Sequence, residues 1–232
     1  MTQPTVDLSP AKRALREARL KGLYRAAPIV RRAEGADPPL SFSQERLWFL
    51  DRLQPGSTAY NLVAGLRLSG PLDVAVMERA VGEIVRRHEA LRTTFAEAEG
   101  VPVQVVHPFD GFRLAVEDLS ALDSAAREAA VAARAAAETA HVFDLGTGPL
   151  FRATLLRLAA QEHALVFCVH HIVNDAWSFK LVLDELTVLY GAFRNGRPSP
   201  LPDLPVQYAD YAAWQRAGGQ GAEEWRVAYW RR

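Results

Sequence analysis

Residues 164–178 read Ala-Leu-Val-Phe-Cys-Val-His-His-Ile-Val-Asn-Asp-Ala-Trp-Ser, and they give the clearest indication of the architecture. Its first seven residues are apolar almost throughout, which is typical of a central β-strand that is covered on both faces. A long helix is predicted next, because apolar residues recur at spacings of three and four: Phe179, Val182, Leu183, Leu186, Leu189, Tyr190 and Phe193. Asn195-Gly196 then provides a helix stop.

The remaining strands are predicted from short apolar runs that lie between turns. One strand covers residues 60–69, and another covers residues 150–158, just ahead of the central strand. Two β-like runs at 91–96 and 101–106 flank Glu99-Gly100 and therefore indicate a hairpin.

Helical segments alternate with these strands. Ser43 is expected to cap a short helix that runs to about Arg52, and Asp73 is expected to cap an amphipathic helix over residues 74–88. Residues 122–140 are rich in alanine and strongly helical by propensity. The alternation predicts an α/β (α+β) fold with a mixed sheet flanked by helices.

The composition excludes several classes of protein. Hydrophobic residues make up 49% and charged residues 23% of the 232 residues, as in a globular protein. Lys plus Arg number 27 and Asp plus Glu also number 27, so the excess positive charge that a nucleic-acid or anionic-membrane binder needs is missing. The single cysteine, Cys168, cannot form an internal disulfide or a Cys-rich zinc site. No signal-peptide pattern follows Met1 and no run approaches ~18 apolar residues, so we expect a cytoplasmic protein.

Two adjacent histidines stand where the central strand ends. Neighbouring side chains of a strand point to opposite faces, so one of His170 and His171 faces the interior and the other can face a cleft. An imidazole in that place suits proton transfer near neutral pH, although a structural histidine is the alternative. Asp175 lies across the turn, where it could hold an imidazole or pair with an arginine. A metal site would need a third ligand cluster that the sequence lacks, and Cys168 lies inside the apolar strand, where thiols are inert.

Four stretches occur in the order known from one enzyme family. They are Ser-Phe-Ser-Gln-Glu-Arg-Leu-Trp-Phe-Leu at 41–50, Arg-His-Glu-Ala-Leu-Arg-Thr-Thr-Phe at 87–95, His-His-Ile-Val-Asn-Asp-Ala-Trp-Ser at 170–178 and Tyr-Ala-Asp-Tyr-Ala-Ala-Trp-Gln-Arg at 208–216. The third resembles the His-His-x-x-x-Asp-Gly signature of the condensation domains of nonribosomal peptide synthetases, within the chloramphenicol-acetyltransferase-like superfamily. The others are similar to the first, second and fourth motifs of these domains.

The resemblance implies one lobe of a two-lobed domain. The later family motifs are absent from the sequence, so we expect the second lobe to be missing and the chain to be cut from a longer protein. Aromatic residues concentrated in 206–232 agree with this, because large aromatic surface needs something to bury against. We divide the chain into an N-terminal helix and linker (1–37), the N-terminal lobe of the condensation domain (38–197), and a connector with helices that lead toward the missing C-terminal lobe (198–232).

The resemblance also implies an activity. A condensation domain forms an amide bond between a donor acyl or peptidyl thioester and the amine of an acceptor aminoacyl thioester. Both substrates are carried on the phosphopantetheine arms of donor and acceptor peptidyl carrier protein domains, so no cofactor is expected to bind this chain directly. The missing C-terminal lobe and adjacent synthetase domains are further expected partners, and the chain alone is expected to be inactive.

The subtype is inferred from residues 46–50, 53–56 and 60–61, which are more like domains that join two L-residues than like those with a D-residue donor. One alternative is a starter condensation domain that acylates the first amino acid. Another is a non-catalytic module that recognises a carrier protein. A free-standing acyltransferase that uses a coenzyme A thioester is the third.

Site residues follow from the motif positions. His171 corresponds to the second histidine of the signature and is implied to be the catalytic imidazole, either as general base or as a hydrogen-bond positioner. His170 is implied to be a buried supporting residue. Asp175 is expected to form a structural ion pair with Arg92, or alternatively with Arg87, because a buried carboxylate needs a charged partner.

The three residues after Asp175 are expected to line the substrate tunnel: Ala176, Trp177 and Ser178. Ser178 could instead cap the following helix. Ala176 stands where the family usually has glycine, and if that position requires a positive φ, alanine costs about 1 kcal/mol there.

Overall fold

The computed structural model describes residues 28–33 and 37–217. Its main sheet has four strands, which lie side by side in the order β1 (Asn61–Ser69), β6 (Glu162–His170), β5 (Phe151–Ala159) and β4 (Ala115–Asp118). β6 runs antiparallel to both β1 and β5, whereas β4 runs parallel to β5, so the sheet is mixed. The central place predicted for β6 is confirmed.

A hairpin forms a second, two-stranded sheet from β2 (Thr93–Ala98) and β3 (Val101–Val106). Its turn consists of Glu99 and Gly100, whose φ angles are 52° and 80°. Two consecutive residues with positive φ match the right-handed twist of the paired strands, which is why a glycine is favoured here. The predicted hairpin is confirmed.

Helices cover both faces of the main sheet. The described residues form α1 (Phe42–Leu53), α2 (Val74–Arg87), a 3₁₀ turn (Glu89–Arg92), α3 (Ser124–Thr139), α4 (Ala176–Arg194) and α5 (Tyr208–Arg216). α2 and α4 pack together, and their apolar faces form the main core with Leu165 and Phe167 of β6. The alternate residues Ala164 and Val166 face a smaller apolar cluster that includes Val131 of α3. The predicted mixed sheet flanked by helices is therefore confirmed.

Helix α1 begins one residue after Ser41, which is its N-cap. Ser41 Oγ accepts the backbone N–H of Gln44 at 3.2 Å, and the Gln44 side-chain oxygen accepts the backbone N–H of Ser41 at 3.0 Å. This reciprocal pair satisfies two N–H groups that the first helical turn leaves free. The predicted cap at Ser43 is wrong, because Ser43 already lies within that first turn.

The connector after α4 is tied to the lobe. Arg87 donates to the carbonyl of Pro202 at 3.0 Å, and the side-chain amide of Gln207 donates to the carbonyl of Arg87 at 2.8 Å. In α5, Asp210 pairs with Arg32 at 2.9 Å. α5 is therefore held against the lobe by Arg87, through Gln207 just before the helix, and by Arg32 near the N-terminus.

Several predicted features lie outside the described residues. These are most of the N-terminal helix and linker (1–37) and the aromatic residues Trp225, Tyr229 and Trp230. Within the described ranges, no helix is both long enough and apolar enough to cross a bilayer.

Candidate functional site

The two histidines separate at the end of β6, as strand alternation predicts. His170 is buried, with 2% of its surface exposed, whereas His171 is exposed. The backbone N–H of His170 donates to the carbonyl of Leu150 at 3.0 Å, and that of His171 donates to the carbonyl of Tyr60 at 2.8 Å. Both residues are thus anchored by strand-like bonds before the chain turns toward α4.

The imidazole of His170 is part of the interior. Its Nδ1 accepts the backbone N–H of Ile172 at 3.2 Å, and its ring lies against Phe143, with ring centroids 6.1 Å apart. Burial, assisted by the neighbouring His171, lowers the pKa of His170 to about 4. His170 is therefore neutral at physiological pH, and its contact with Ile172 braces the turn that follows.

The imidazole of His171 has a defined tautomer. Its Nδ1 lies 2.7 Å from the carbonyl oxygen of Asn174. A carbonyl oxygen only accepts hydrogen bonds, so Nδ1 carries the proton and Nε2 keeps a lone pair in the neutral ring. Asn174 is itself buried, and its side-chain amide donates to the carbonyl of Asp175 at 3.1 Å. The turn thus presents Nε2 of His171 as a hydrogen-bond and proton acceptor.

Asp175 is the N-cap of α4, and no arginine in residues 28–33 or 37–217 pairs with it. One carboxylate oxygen accepts both the backbone N–H and the hydroxyl of Ser178, each at 2.7 Å. These hydrogen bonds lower the pKa of Asp175, the backbone bond most strongly. Asp175 is exposed, so the premise of a buried carboxylate in need of a charged partner is wrong.

Both predicted arginine partners of Asp175 bind elsewhere. Arg92 lies 3.8 Å from Glu89 and also donates to the carbonyl of His107, on the side of the hairpin. Arg87 is buried and pairs with Glu185 of α4 at 3.4 Å. The predicted ion pair from Asp175 to Arg92, or to Arg87, is therefore wrong, because a closer carboxylate takes each guanidinium.

A cavity of about 190 Å³ lies between α1, the turn after β6 and α5. Its lining comprises Ser43, Gln44, Arg46, Leu47, His171, Ile172, Val173, Asn174, Asp175, Ser178 and Tyr208. Of the three residues expected along the tunnel, Ser178 lines this cavity, whereas Ala176 and Trp177 do not. Trp177 is 81% exposed.

Ala176 is the first residue of α4 and has no left-handed backbone. Among the described non-glycine residues, Glu99 alone has a positive φ. The strain that alanine would suffer at a glycine-requiring position therefore does not arise. Ser178 is likewise not the helix cap, since its N–H and hydroxyl both donate to the cap Asp175.

Eight described residues of the cavity lining are absent from the predicted site, and Gln44 and Tyr208 are two of them. The side-chain amide of the buried Gln44 donates to Gln104 at 3.2 Å and to the carbonyl of Ile172 at 3.4 Å, so it ties α1 to the histidine turn. Tyr208 of α5 places its hydroxyl 3.0 Å from Ser41 Oγ. Gln44 lies in the motif-like stretch 41–50 and Tyr208 in the motif-like stretch 208–216. Their place in these stretches is the sequence signal that could have identified them as site residues.

The cavity therefore combines one imidazole acceptor with hydroxyl and amide groups, an arrangement that can bind and deprotonate a small nucleophile. Within the described part of the chain, no group of three or more His, Cys, Asp or Glu residues is arranged to hold a metal ion.

Comparison with models of known protein families identifies the family of this chain. The model of the Condensation domain family matches residues 36–232. The chain belongs to the condensation-domain family. The resemblance inferred from the four motif-like stretches is thereby confirmed.

Curated relatives of this condensation lobe are large synthetases. The lobe is 46% identical over 195 residues to the chondramide synthase cmdD of Chondromyces crocatus, with 83% of this chain and 5% of that protein covered. It is 44% identical over 213 residues to phosphinothricin tripeptide synthetase PhsC of Streptomyces viridochromogenes, with 90% of this chain and 20% of that protein covered. The chain thus spans a small part of each relative.

Solved condensation-type structures share the fold. The X-domain from teicoplanin biosynthesis matches with a TM-score of 0.77 and 31% identity, over 88% of this chain and 45% of that one. The first condensation domain of the calcium-dependent antibiotic synthetase, in complex with a substrate analogue, matches with a TM-score of 0.76 and 27% identity, over 84% of this chain and 47% of that one. The chain spans about half of each structure, which fits the predicted N-terminal lobe.

Proposed function

We propose that this lobe supplies the catalytic imidazole of a condensation domain, which joins a donor acyl or peptidyl thioester to the amine of an acceptor aminoacyl thioester. The observation that carries the proposal is the hydrogen bond from His171 Nδ1 to the carbonyl of Asn174, which leaves Nε2 free as an acceptor at the cavity. Both substrates arrive on phosphopantetheine arms of carrier protein domains, and the C-terminal lobe supplies the opposite wall.

In the proposed reaction, the acceptor amine donates a hydrogen bond to His171 Nε2 and attacks the thioester carbonyl carbon. A C–N bond forms, and the carbonyl π electrons move to oxygen. When the carbonyl reforms, the C–S bond breaks and the thiolate leaves. The proton lost by the amine passes to Nε2 and from there to the thiolate, so the products are an amide and a free thiol. General-base catalysis of this kind contributes ~10²–10⁴-fold.

We assign the L-to-L subtype to this domain on the motif-like residues 46–50, 53–56 and 60–61. The donor and acceptor carrier domains are its expected partners. Because a single lobe lacks one wall of the substrate tunnel, the 232-residue chain should have no condensation activity by itself.

A second candidate function is a non-catalytic module that recognises another domain. The observation that favours it is the likeness to the teicoplanin X-domain, which has also been solved in a complex with OxyB.

The test uses the complete condensation domain that contains this lobe, with two loaded carrier domains, and mass spectrometry of the carrier-bound product. His171→Ala should lower the rate of peptide formation ~10²–10⁴-fold. His107→Ala is the matched control, because His107 is exposed and does not line the cavity.

Unchanged turnover in the His171→Ala variant would overturn the proposed chemistry. If the wild-type domain binds carriers but forms no product, and the substitution leaves that binding intact, the interaction module is the correct function. Condensation by the isolated 232-residue chain would contradict the proposed need for a second lobe.

A further inference from the structure

The hydroxyl of Ser41 is buried and has two hydrogen-bond partners in the part of the chain that the structure describes, Gln44 and Tyr208. Ser41 is 1% exposed. Its Oγ accepts the backbone N–H of Gln44 at 3.2 Å and lies 3.0 Å from the hydroxyl of Tyr208. A buried hydroxyl is expected to use its proton as well as its lone pairs.

The two partners of Ser41 Oγ determine which hydroxyl donates in the hydrogen bond between Ser41 and Tyr208. Within the described residues, Tyr208 Oη is the one acceptor in hydrogen-bond reach of Ser41 Oγ, since the other partner is the N–H donor of Gln44. Ser41 therefore donates its proton to Tyr208. The phenol accepts through its oxygen, and no other side chain or carbonyl in residues 28–33 or 37–217 takes its O–H.

This phenol O–H belongs to a side chain that lines the same cavity as His171. Tyr208 is 39% exposed, so it reaches the cavity from α5. Two further donors close to the histidine turn are already engaged, because the hydroxyl of Ser178 donates to Asp175 and the amide of Gln44 donates to Ile172; Ser43 and Arg46 line the cavity on the α1 side.

The phenol also keeps its proton at neutral pH. Burial raises the pKa of Tyr208, the hydrogen bond from Ser41 opposes this, and the nearby Tyr211 and Asp175 raise it further. Tyr208 therefore faces the cavity as a neutral donor, and the same cavity is lined by His171, whose Nε2 is an acceptor.

We propose that Tyr208 donates a hydrogen bond to the thioester carbonyl oxygen, which becomes negative when the acceptor amine attacks. The inference rests on the proposed function, because the oxygen that it stabilises exists only in that reaction. His171 Nε2 takes the amine proton, Tyr208 keeps its own proton, and the negative charge returns to the C=O bond as the thiolate leaves. Such a donor acts mainly on the transition state, where the oxygen carries its full charge.

The test compares Tyr208→Phe with Tyr211→Phe in the complete condensation domain with loaded carriers. Tyr211 is the matched control, since it lies on the same helix but does not line the cavity, and its hydroxyl accepts from Gln215 at 2.9 Å. Tyr208→Phe should lower single-turnover kcat about 10²-fold with little change in KM, whereas Tyr211→Phe should stay close to wild type.

A second measurement keeps the inference testable if the phenylalanine variant folds poorly. Replacing Tyr208 by 3,5-difluorotyrosine preserves the shape of the ring but makes the phenol more acidic. The alkaline limb of the kcat profile should then move to lower pH, because the donor proton is lost sooner. A purely structural role for Tyr208 would leave that limb in place.

The outcomes separate this inference from the proposed function. If His171→Ala abolishes turnover while Tyr208→Phe retains wild-type kcat, or the difluorotyrosine profile is unshifted, Tyr208 is not the donor and the imidazole chemistry stands. If His171→Ala has wild-type turnover, the proposed function fails and the role of Tyr208 fails with it.

Discussion

Replacing Asp175 by alanine removes the N-cap of α4, the helix that begins directly after the histidine turn. Asp175→Ala deletes an oxygen that accepts two bonds from Ser178, both of 2.7 Å. Loss of an aspartate cap costs about 1 kcal/mol of unfolding free energy. For a chain of 232 residues, this corresponds to a melting temperature about 2–4 °C lower.

Asp175→Asn should be much milder than Asp175→Ala. Asparagine keeps a side-chain oxygen that can accept the N–H of Ser178, so the loss is confined to the favourable interaction of the charge with the helix N-terminus, about 0.3 kcal/mol at an exposed site. The pKa of Asp175 is lowered in the folded chain, so the ionised cap stabilises above the unfolded pKa of about 4 and its contribution is lost as the pH falls through the lower folded value.

The assay is thermal unfolding of both variants near neutral pH, together with the condensation rate of the complete domain. Asp123→Ala is the matched control, because Asp123 caps α3 in the same way, through the N–H of Ala126 at 2.9 Å, away from the cavity. Both alanine variants should lose similar stability, but only the one at Asp175 should slow condensation. If Asp175→Asn lowers the melting temperature as much as Asp175→Ala, charge rather than capping matters and the reasoning fails.

Two further substitutions probe the backbone and the buried pair. Ala176→Gly should destabilise the lobe by up to about 1 kcal/mol and leave the rate of product formation no faster, because Ala176 already has helical backbone; a clear gain in rate would contradict this. Glu185→Gln should cost about 3 kcal/mol in urea unfolding at pH 7, since it leaves Arg87 buried without its carboxylate, and a cost below about 1 kcal/mol would refute that. Burial alone would raise the pKa of Glu185, but hydrogen bonds from His88 and Arg87 outweigh it and lower the pKa, so this stabilisation is present above pH about 4 and is lost as the pH falls further.

Features with local causes could be predicted from the sequence. β6 and α4 were recognisable because their apolar residues follow the strand and helix periods, and the hairpin because Glu99-Gly100 suits a tight turn. β4 was not recognisable from the sequence, since its four residues are mostly exposed and show no apolar pattern. It is a strand because it pairs in parallel with β5, which lies more than 30 residues further along the chain. The cap at Ser41 could have been read from the Ser-x-x-Gln spacing to Gln44.

The pairing of charges could not be predicted, because it depends on which distant segments meet. Asp175 and Arg92 belong to neighbouring family motifs, yet Asp175 stays exposed at a helix start while Arg92 turns toward the hairpin. Arg87 forms an ion pair with Glu185 because α2 packs against α4.

The family, the mixed sheet and the opposite orientation of the two adjacent histidines could all be inferred from the chain alone, since motif order and strand alternation are local properties; the outward place of His171 was implied by the motif resemblance. The three-dimensional contacts were needed to show that Nδ1 of His171 is the protonated nitrogen, which makes Nε2 the acceptor, and that Tyr208 lines the same cavity. Both depend on hydrogen bonds and packing between elements that lie far apart in sequence, and such contacts leave no local pattern of residues.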